Sequence, residues 1–123
     1  MDAKCGVDII EVSRIENSIK AHNEFVNRVF TEKEIEYCES KKVMKYQHYA
    51  ARFAAKEAIF KAISEFLDSK YQIEWKNIEI ENDITGKPQV NMIDIKIKEE
   101  IEIDVSLSHL KDYAIANCIV YKK

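Results

Sequence analysis

Met44 to Leu67 reads MKYQHYAARFAAKEAIFKAISEFL, a run with neither Gly nor Pro and with Ala throughout. Apolar side chains recur at helical spacing through Ala55, Ile59, Ala62 and Phe66, with Ile63 and Leu67 beside them, so this stretch predicts the longest helix of the chain. Beyond Trp75 the texture changes. Ile78-Glu79-Ile80-Glu81 alternates as strands do, Asn82-Asp83-Ile84-Thr85-Gly86 supplies turn residues, and Lys87-Pro88 starts the return arm of a hairpin. Alternation resumes over Ile93 to Ile97 and over Ile101 to Val105, with Lys98-Glu99-Glu100 as the reversal between them. The chain closes with Val105 to Ser108, a turn near His109 to Asp112, and an apolar strand from Tyr113 to Tyr121.

On the N-terminal side of the long helix, Cys5 to Val12 is rich in Val and Ile and predicts a strand. Ser13-Arg14-Ile15-Glu16 has the form of a capping box, as does Thr31-Glu32-Lys33-Glu34, and Asn23 is placed to cap a short helix between them. Helices grouped early and strands grouped late predict an α+β fold, a largely antiparallel sheet with one long and several short helices. At 123 residues the chain is sized for one domain, read as 1–123.

Composition limits the function. A content of 46% hydrophobic and 33% charged residues is that of a globular protein rather than a disordered one. The net charge of −3 gives no footprint for nucleic acid, so none is expected. No apolar run approaches the length that crosses a bilayer, and no membrane role is expected. The three cysteines are far apart with no CxxC spacing, which fits a reducing, cytoplasmic compartment and neither disulfides nor a zinc site.

Several residues stand out chemically. Asp8 interrupts an otherwise apolar strand, which on its own is equally well an outward-facing acid. Glu57 and Lys61, at i and i+4, form by themselves an ordinary surface ion pair. Arg52 and Lys56 are less ordinary, because both project into the arc occupied by Ile59, Ile63 and Leu67. A charge there must snorkel or meet an anion, and a phosphate would satisfy both. Gly86-Lys87-Pro88 is a turn that could bring backbone and a cation close to a ligand. Ser106-Leu107-Ser108-His109 puts two hydroxyls on one strand face and an imidazole at the strand end.

Taken in order, Gly6-Val7-Asp8 with Arg14, Phe30-Thr31-Glu32-Lys33-Glu34, Arg52 to Ala58 with Lys61, Gly86-Lys87-Pro88 and Ser106-Leu107-Ser108-His109 resemble the short holo-acyl-carrier-protein synthase family of 4'-phosphopantetheinyl transferases. The Phe53 to Lys61 block is the most specific, and the resemblance spans almost the whole chain. It implies transfer of phosphopantetheine from coenzyme A to a serine of an acidic acyl carrier protein, releasing 3',5'-ADP, for fatty acid synthesis. It also implies Mg²⁺ held by Asp8 and Glu57, with Asp8, Glu57 and Lys61 as the catalytic set. Arg52, Lys56, Gly86, Lys87, Pro88, Ser106, Ser108 and His109 are implied to line the coenzyme A cleft. Arg14, Phe25 and Arg28 on the first helix are expected to meet the carrier, and Lys41, Lys42 and Lys45 form a second basic run within reach of a 3'-phosphate. By family precedent the assembly is a homotrimer with sites between subunits. The base that takes the serine proton is left open among Lys61, Glu57 and a metal-bound water. Rival readings are a non-catalytic carrier-protein or nucleotide-binding module and a metal-dependent phosphodiesterase.

Overall fold

The computed structural model describes residues 2–67, 73–95, 97 and 100–123. Strand β1, Ala3–Glu11, runs without a loop into helix α1, Val12–Ala21. Helices α2, Phe25–Val29, and α3, Glu32–Glu39, lead to the long helix α4, Lys45–Ile63, which tightens into a 3-10 turn at Ser64–Phe66. A 3-10 turn at Trp75–Asn77 opens the hairpin of β2, Ile78–Asn82, and β3, Pro88–Met92. Strands β4, Ile101–His109, and β5, Tyr113–Lys122, complete the chain. The larger sheet has the order β1-β5-β4, antiparallel throughout, and β2-β3 forms a separate antiparallel pair. This is the α+β architecture with one long helix that the pattern predicts.

Small residues let α4 lie close on the sheet. Ala54, Ala55, Ala58 and Ala62 meet Ala116, Cys118 and Val120 of β5 in the main core. Gly6 takes this furthest, since a Cβ there would stand 1.8 Å from the Ala58 carbonyl oxygen. Only a residue without a side chain allows that approach. Strand alternation puts Gly6 and Asp8 on the same face, so the contact that seats Gly6 under α4 also delivers Asp8 to it.

Among the described residues, the opposite face of the larger sheet carries no helix. Val7 and Ile9 on β1 and Tyr113, Ile115 and Ile119 on β5 are exposed there, from 40% for Ile119 to 63% for Ile9. Register aligns Ile9 with Ile115 and Ser108, and Val7 with Asn117 and Ser106, in rows across this face.

Three local expectations give way. Helix α1 begins at Val12, with Glu11 as a cap that makes no side-chain bond, and the Val12 N–H donates to the Asp112 carbonyl at 2.8 Å. Ser13 therefore lies inside the helix and is no cap. The cap position of α2 is Glu24 rather than Asn23, again without a side-chain bond. The strand expected over Ile93 to Ile97 ends at Met92, because Asp94 adopts φ 54, a left-handed conformation that leaves the strand. Lys96, and Lys98-Glu99 of the expected reversal, lie outside the described residues.

Helix α4 is buried nearly all round, against the sheet on one side and α1 to α3 on another. Its centre holds a charge. Lys56 is 0% exposed, and its amine donates to the carbonyls of Val29 at 2.8 Å, Trp75 at 3.0 Å and Ile78 at 2.6 Å. The carboxylate of Glu34 meets the same amine at 2.7 Å. That carboxylate also accepts from the Thr31 N–H at 2.9 Å and the Ile80 N–H at 2.8 Å, so the capping box of α3 is complete and is tied to β2. Buried charges persist in this way only when paired and fully hydrogen-bonded.

Candidate active site

Asp8, Glu57 and Lys61 converge where β1 passes beneath α4. The Lys61 amine donates to Asp8 Oδ1 at 3.2 Å and to the Val7 carbonyl at 3.1 Å. Asp8 is mostly covered, its side chain 19% exposed, whereas Lys61 reaches solvent. Burial pushes the Glu57 carboxyl above its ordinary range, the Asp8 charge pushes it further the same way, and Lys61 opposes both. Two carboxylates that feel one another, with a lysine at their edge, make an oxygen-donor site suited to a hard divalent cation.

Beside Glu57 opens a cavity of about 640 Å³, walled by Phe60, Ile73, Trp75 and Ile78 and reaching Arg28. Phe53 stacks on Trp75 with ring centres 5.0 Å apart and meets Phe25 at 6.3 Å. The aromatic side chains that line the cavity are Phe60 of α4 and Trp75, with Phe53 stacked on Trp75.

A second cavity, about 710 Å³, lies on another side of α4 and is lined by Arg52, Tyr37, Lys33, Lys41, Asn82 and Gly86 among others. Arg52 is only 2% exposed and packs over the Tyr37 ring at 3.9 Å, while Nη2 donates to Asn82 Oδ1 at 3.0 Å. Its Nε finds no partner among the described residues. A buried guanidinium with an unused N–H, on a cavity wall with further lysines, is suited to an anion. Gly86 holds φ +88 with open space around it, and Asn82 donates to its carbonyl at 3.3 Å.

A third group surrounds β4. Lys87 and Pro88 share a cavity of about 450 Å³ with Asp104, Ser106 and Asn117, and Lys87 reaches Asp104 at 3.5 Å. Ser106 and Ser108 stand on the bare face of the sheet. His109 points the other way, with Nδ1 2.9 Å from Gln47 Oε1 and its ring 4.8 Å from that of His48. Burial above all, and then the neighbouring His109, Lys41 and Arg52, push His48 down to about 4.

The residues singled out in the sequence therefore fall into separate groups within one chain. Asp8, Glu57 and Lys61 come together, Arg52 comes together with Gly86, and Lys87 and Pro88 with Ser106. Asp8 and Ser106 lie on opposite faces of the same sheet, so they cannot line one cleft of one chain. Lys56 needs correction, because its charge is already matched inside the protein and the reason for placing a phosphate on it disappears. Arg14 is exposed on α1, while Phe25 and Arg28 belong to α2 rather than to the first helix, with Phe25 half-buried and Arg28 exposed. Sequence reasoning passed over Tyr37, Asn82 and Glu34. The capping box pointed to Glu34, but nothing local tells that its carboxylate also faces a lysine 22 positions along the chain.

Comparison with known proteins is consistent along the whole length. Residues 4–118 match the family model of the 4'-phosphopantetheinyl transferase superfamily. The holo-acyl-carrier-protein synthase of Ruminiclostridium cellulolyticum is 45% identical over 127 aligned residues, covering 98% of this chain and 92% of that protein. The Clostridium tetani enzyme of the same name is 44% identical, covering 94% and 92%. The holo-acyl-carrier-protein synthase of Bacillus anthracis, solved in complex with CoA (3',5'-ADP), superposes with a TM-score of 0.79 at 31% identity over 98% of this chain and 96% of that one. The Helicobacter pylori synthase in complex with coenzyme A gives 0.80 at 26% identity, covering 95% and 99%. With its fold, its ordered motifs and its nearly full-length matches to synthases, the chain belongs to the 4'-phosphopantetheinyl transferase superfamily, a family of enzymes.

Proposed function

We propose that this protein is a holo-acyl-carrier-protein synthase, which moves 4'-phosphopantetheine from coenzyme A to a serine of apo-acyl carrier protein and serves fatty acid synthesis in the cytoplasm. The convergence of Asp8, Glu57 and Lys61 beside a cavity that extends to Arg28 carries this reading. The names of the nearly full-length relatives, and coenzyme A in the structures of two neighbours, support the substrate.

In the reaction, the serine oxygen bonds to the β-phosphorus of coenzyme A and the bridging P–O bond breaks. Adenosine 3',5'-bisphosphate departs with the electron pair, and the serine gives up its proton. Asp8 and Glu57 are the ligands for Mg²⁺, which when bound supplies positive charge against the pyrophosphate. Lys61, held facing the carboxylates by Asp8 and the Val7 carbonyl, is placed to bond phosphate oxygens as charge develops on them. Arg52 and Lys41, both on the wall of the second cavity, supply cations for the nucleotide end. Arg14, Phe25 and Arg28 meet the acidic carrier, with charge mainly speeding its approach.

The cleft is completed by a second copy of the chain. The bare apolar sheet face supports a homotrimer, since contiguous exposed apolar surface marks an interface. Ser106 and Ser108 on that face, with Lys87 and Pro88 nearby, then serve the site of a neighbour rather than their own, whereas His109, turned toward Gln47 and His48, serves its own chain. Residues 1–123 act as one domain. Free Cys5, Cys38 and Cys118 fit a reducing compartment, and no described helix is long and apolar enough to cross a membrane. The test is chromatographic: incubation with coenzyme A, Mg²⁺ and apo carrier yields adenosine 3',5'-bisphosphate only when the carrier serine is intact. Release from coenzyme A without the carrier would point instead to a phosphodiesterase.

A further inference from the structure

The transfer chemistry makes no use of Lys56, although it is the immediate neighbour of Glu57. Its three N–H donors face four oxygens, the carbonyls of Val29, Trp75 and Ile78 and a Glu34 carboxylate oxygen, all at 2.6–3.0 Å. Stability alone does not account for such an arrangement, because apolar residues of similar volume often replace a buried ion pair at no loss. What distinguishes it is where the oxygens come from. Val29 closes α2 directly after Arg28, and Trp75 and Ile78 bracket the turn that leads into β2. Both segments wall the cavity beside Glu57, through Arg28 on one side and Trp75 on the other. A single ammonium group thus fixes the spacing of two walls relative to the helix that carries Glu57. Phe53 links the same segments by touching Phe25 and stacking on Trp75.

We propose that Lys56 is a positioning residue for the transfer: its amine clamps the carrier-facing end of α2 and the Trp75 turn around Glu57, and so sets where the carrier's serine arrives. The proposal rests on the transferase reading. It requires no contact between Lys56 and substrate.

The test uses the full chain carrying Lys56→Met with Glu34→Gln, a pair that removes both charges. With the variant folded by circular dichroism, kcat/KM for apo carrier should fall on the order of ten- to a hundredfold, as for a misplacement near 1 Å, while KM for coenzyme A stays within about twofold. Trp75, the one tryptophan of the chain, should become more accessible to a neutral quencher as its turn loosens. A folded variant with wild-type carrier kinetics and unchanged Trp75 quenching would overturn the proposal. So would a rise in KM for coenzyme A as large as that for the carrier, which indicates general loosening. Lys56→Arg, which keeps the charge but not the compact ammonium, is read in the same way, at a temperature where it is folded, should the double variant not fold. The wild type is assayed alongside. If it transfers nothing, the transferase reading fails, and Trp75 quenching with hydrogen exchange over residues 24–30 still decides the clamp.

Discussion

Replacing Gly6 by Ala inserts a Cβ at a position 1.8 Å from the Ala58 carbonyl oxygen and 2.7 Å from its carbon. Carbon and oxygen come no closer than about 3.3 Å without strain, so β1 and α4 must part by roughly 1.5 Å. The atoms met are backbone of a helix packed on all sides, which cannot turn aside as a flexible side chain could. Overpacking of this kind costs about 1–3 kcal/mol, readable as a lower urea midpoint with an unchanged slope. The larger consequence falls on the site, because Asp8 shares the face of Gly6 and moves with it away from Glu57 and Lys61. A shift near 1 Å is worth about a hundredfold in turnover. Transfer should therefore fall about a hundredfold even when measured under conditions where the variant is fully folded. A Gly6→Ala protein as stable and as active as wild type would refute the idea that this close approach builds the site.

Asp8→Ala and Glu57→Ala should each abolish transfer while leaving the unfolding free energy from urea melts within about 1 kcal/mol of wild type, as both remove a carboxylate and little core. Ile9→Glu or Ile115→Glu should leave a folded chain that sediments as a monomer and has lost transfer, because charge is placed on the bare sheet face. His48 predicts a pH dependence. It sits at about 4 when folded, so its neutral form is the one the fold favours. As the pH falls below about 6.5 the unfolded chain takes up the proton first, so stability declines from there down to about pH 4, and His48→Gln should flatten that decline in urea melts. Burial pushes the thiols of Cys38 to about 12 and Cys118 to about 11, so maleimide should label neither in the native protein at pH 7 and both after denaturation.

Most strand and helix positions were legible because each rests on local signals. The Thr31 capping box forms in full, the Gly86 turn has its positive φ and leads into β3, and alternation marks the first hairpin arm and the start of β4. Local signals failed where a distant contact took over. Ser13 and Glu16 spell a capping box, yet α1 starts earlier because the Asp112 carbonyl accepts from Val12. Ile93 to Ile97 alternates as a strand should, but Asp94 turns left-handed and the strand stops at Met92. Among the site residues, Asp8, Glu57 and Lys61 could be found by motif, and their meeting depends on the single glycine under α4. Lys56 could not be read correctly. Its place on the apolar arc was plain, but its partners are contributed by α2, α3 and the Trp75 turn, so an internal clamp looked like a waiting phosphate site.

The intact mass of a natural apo carrier protein, before and after incubation with this enzyme, coenzyme A and Mg²⁺, decides whether phosphopantetheine is transferred. The carrier should become heavier by one phosphopantetheine, on the serine alone, and should not change when Asp8→Ala or Glu57→Ala replaces the wild type. An unchanged carrier mass with the wild type, or full modification by either variant, would contradict the claim.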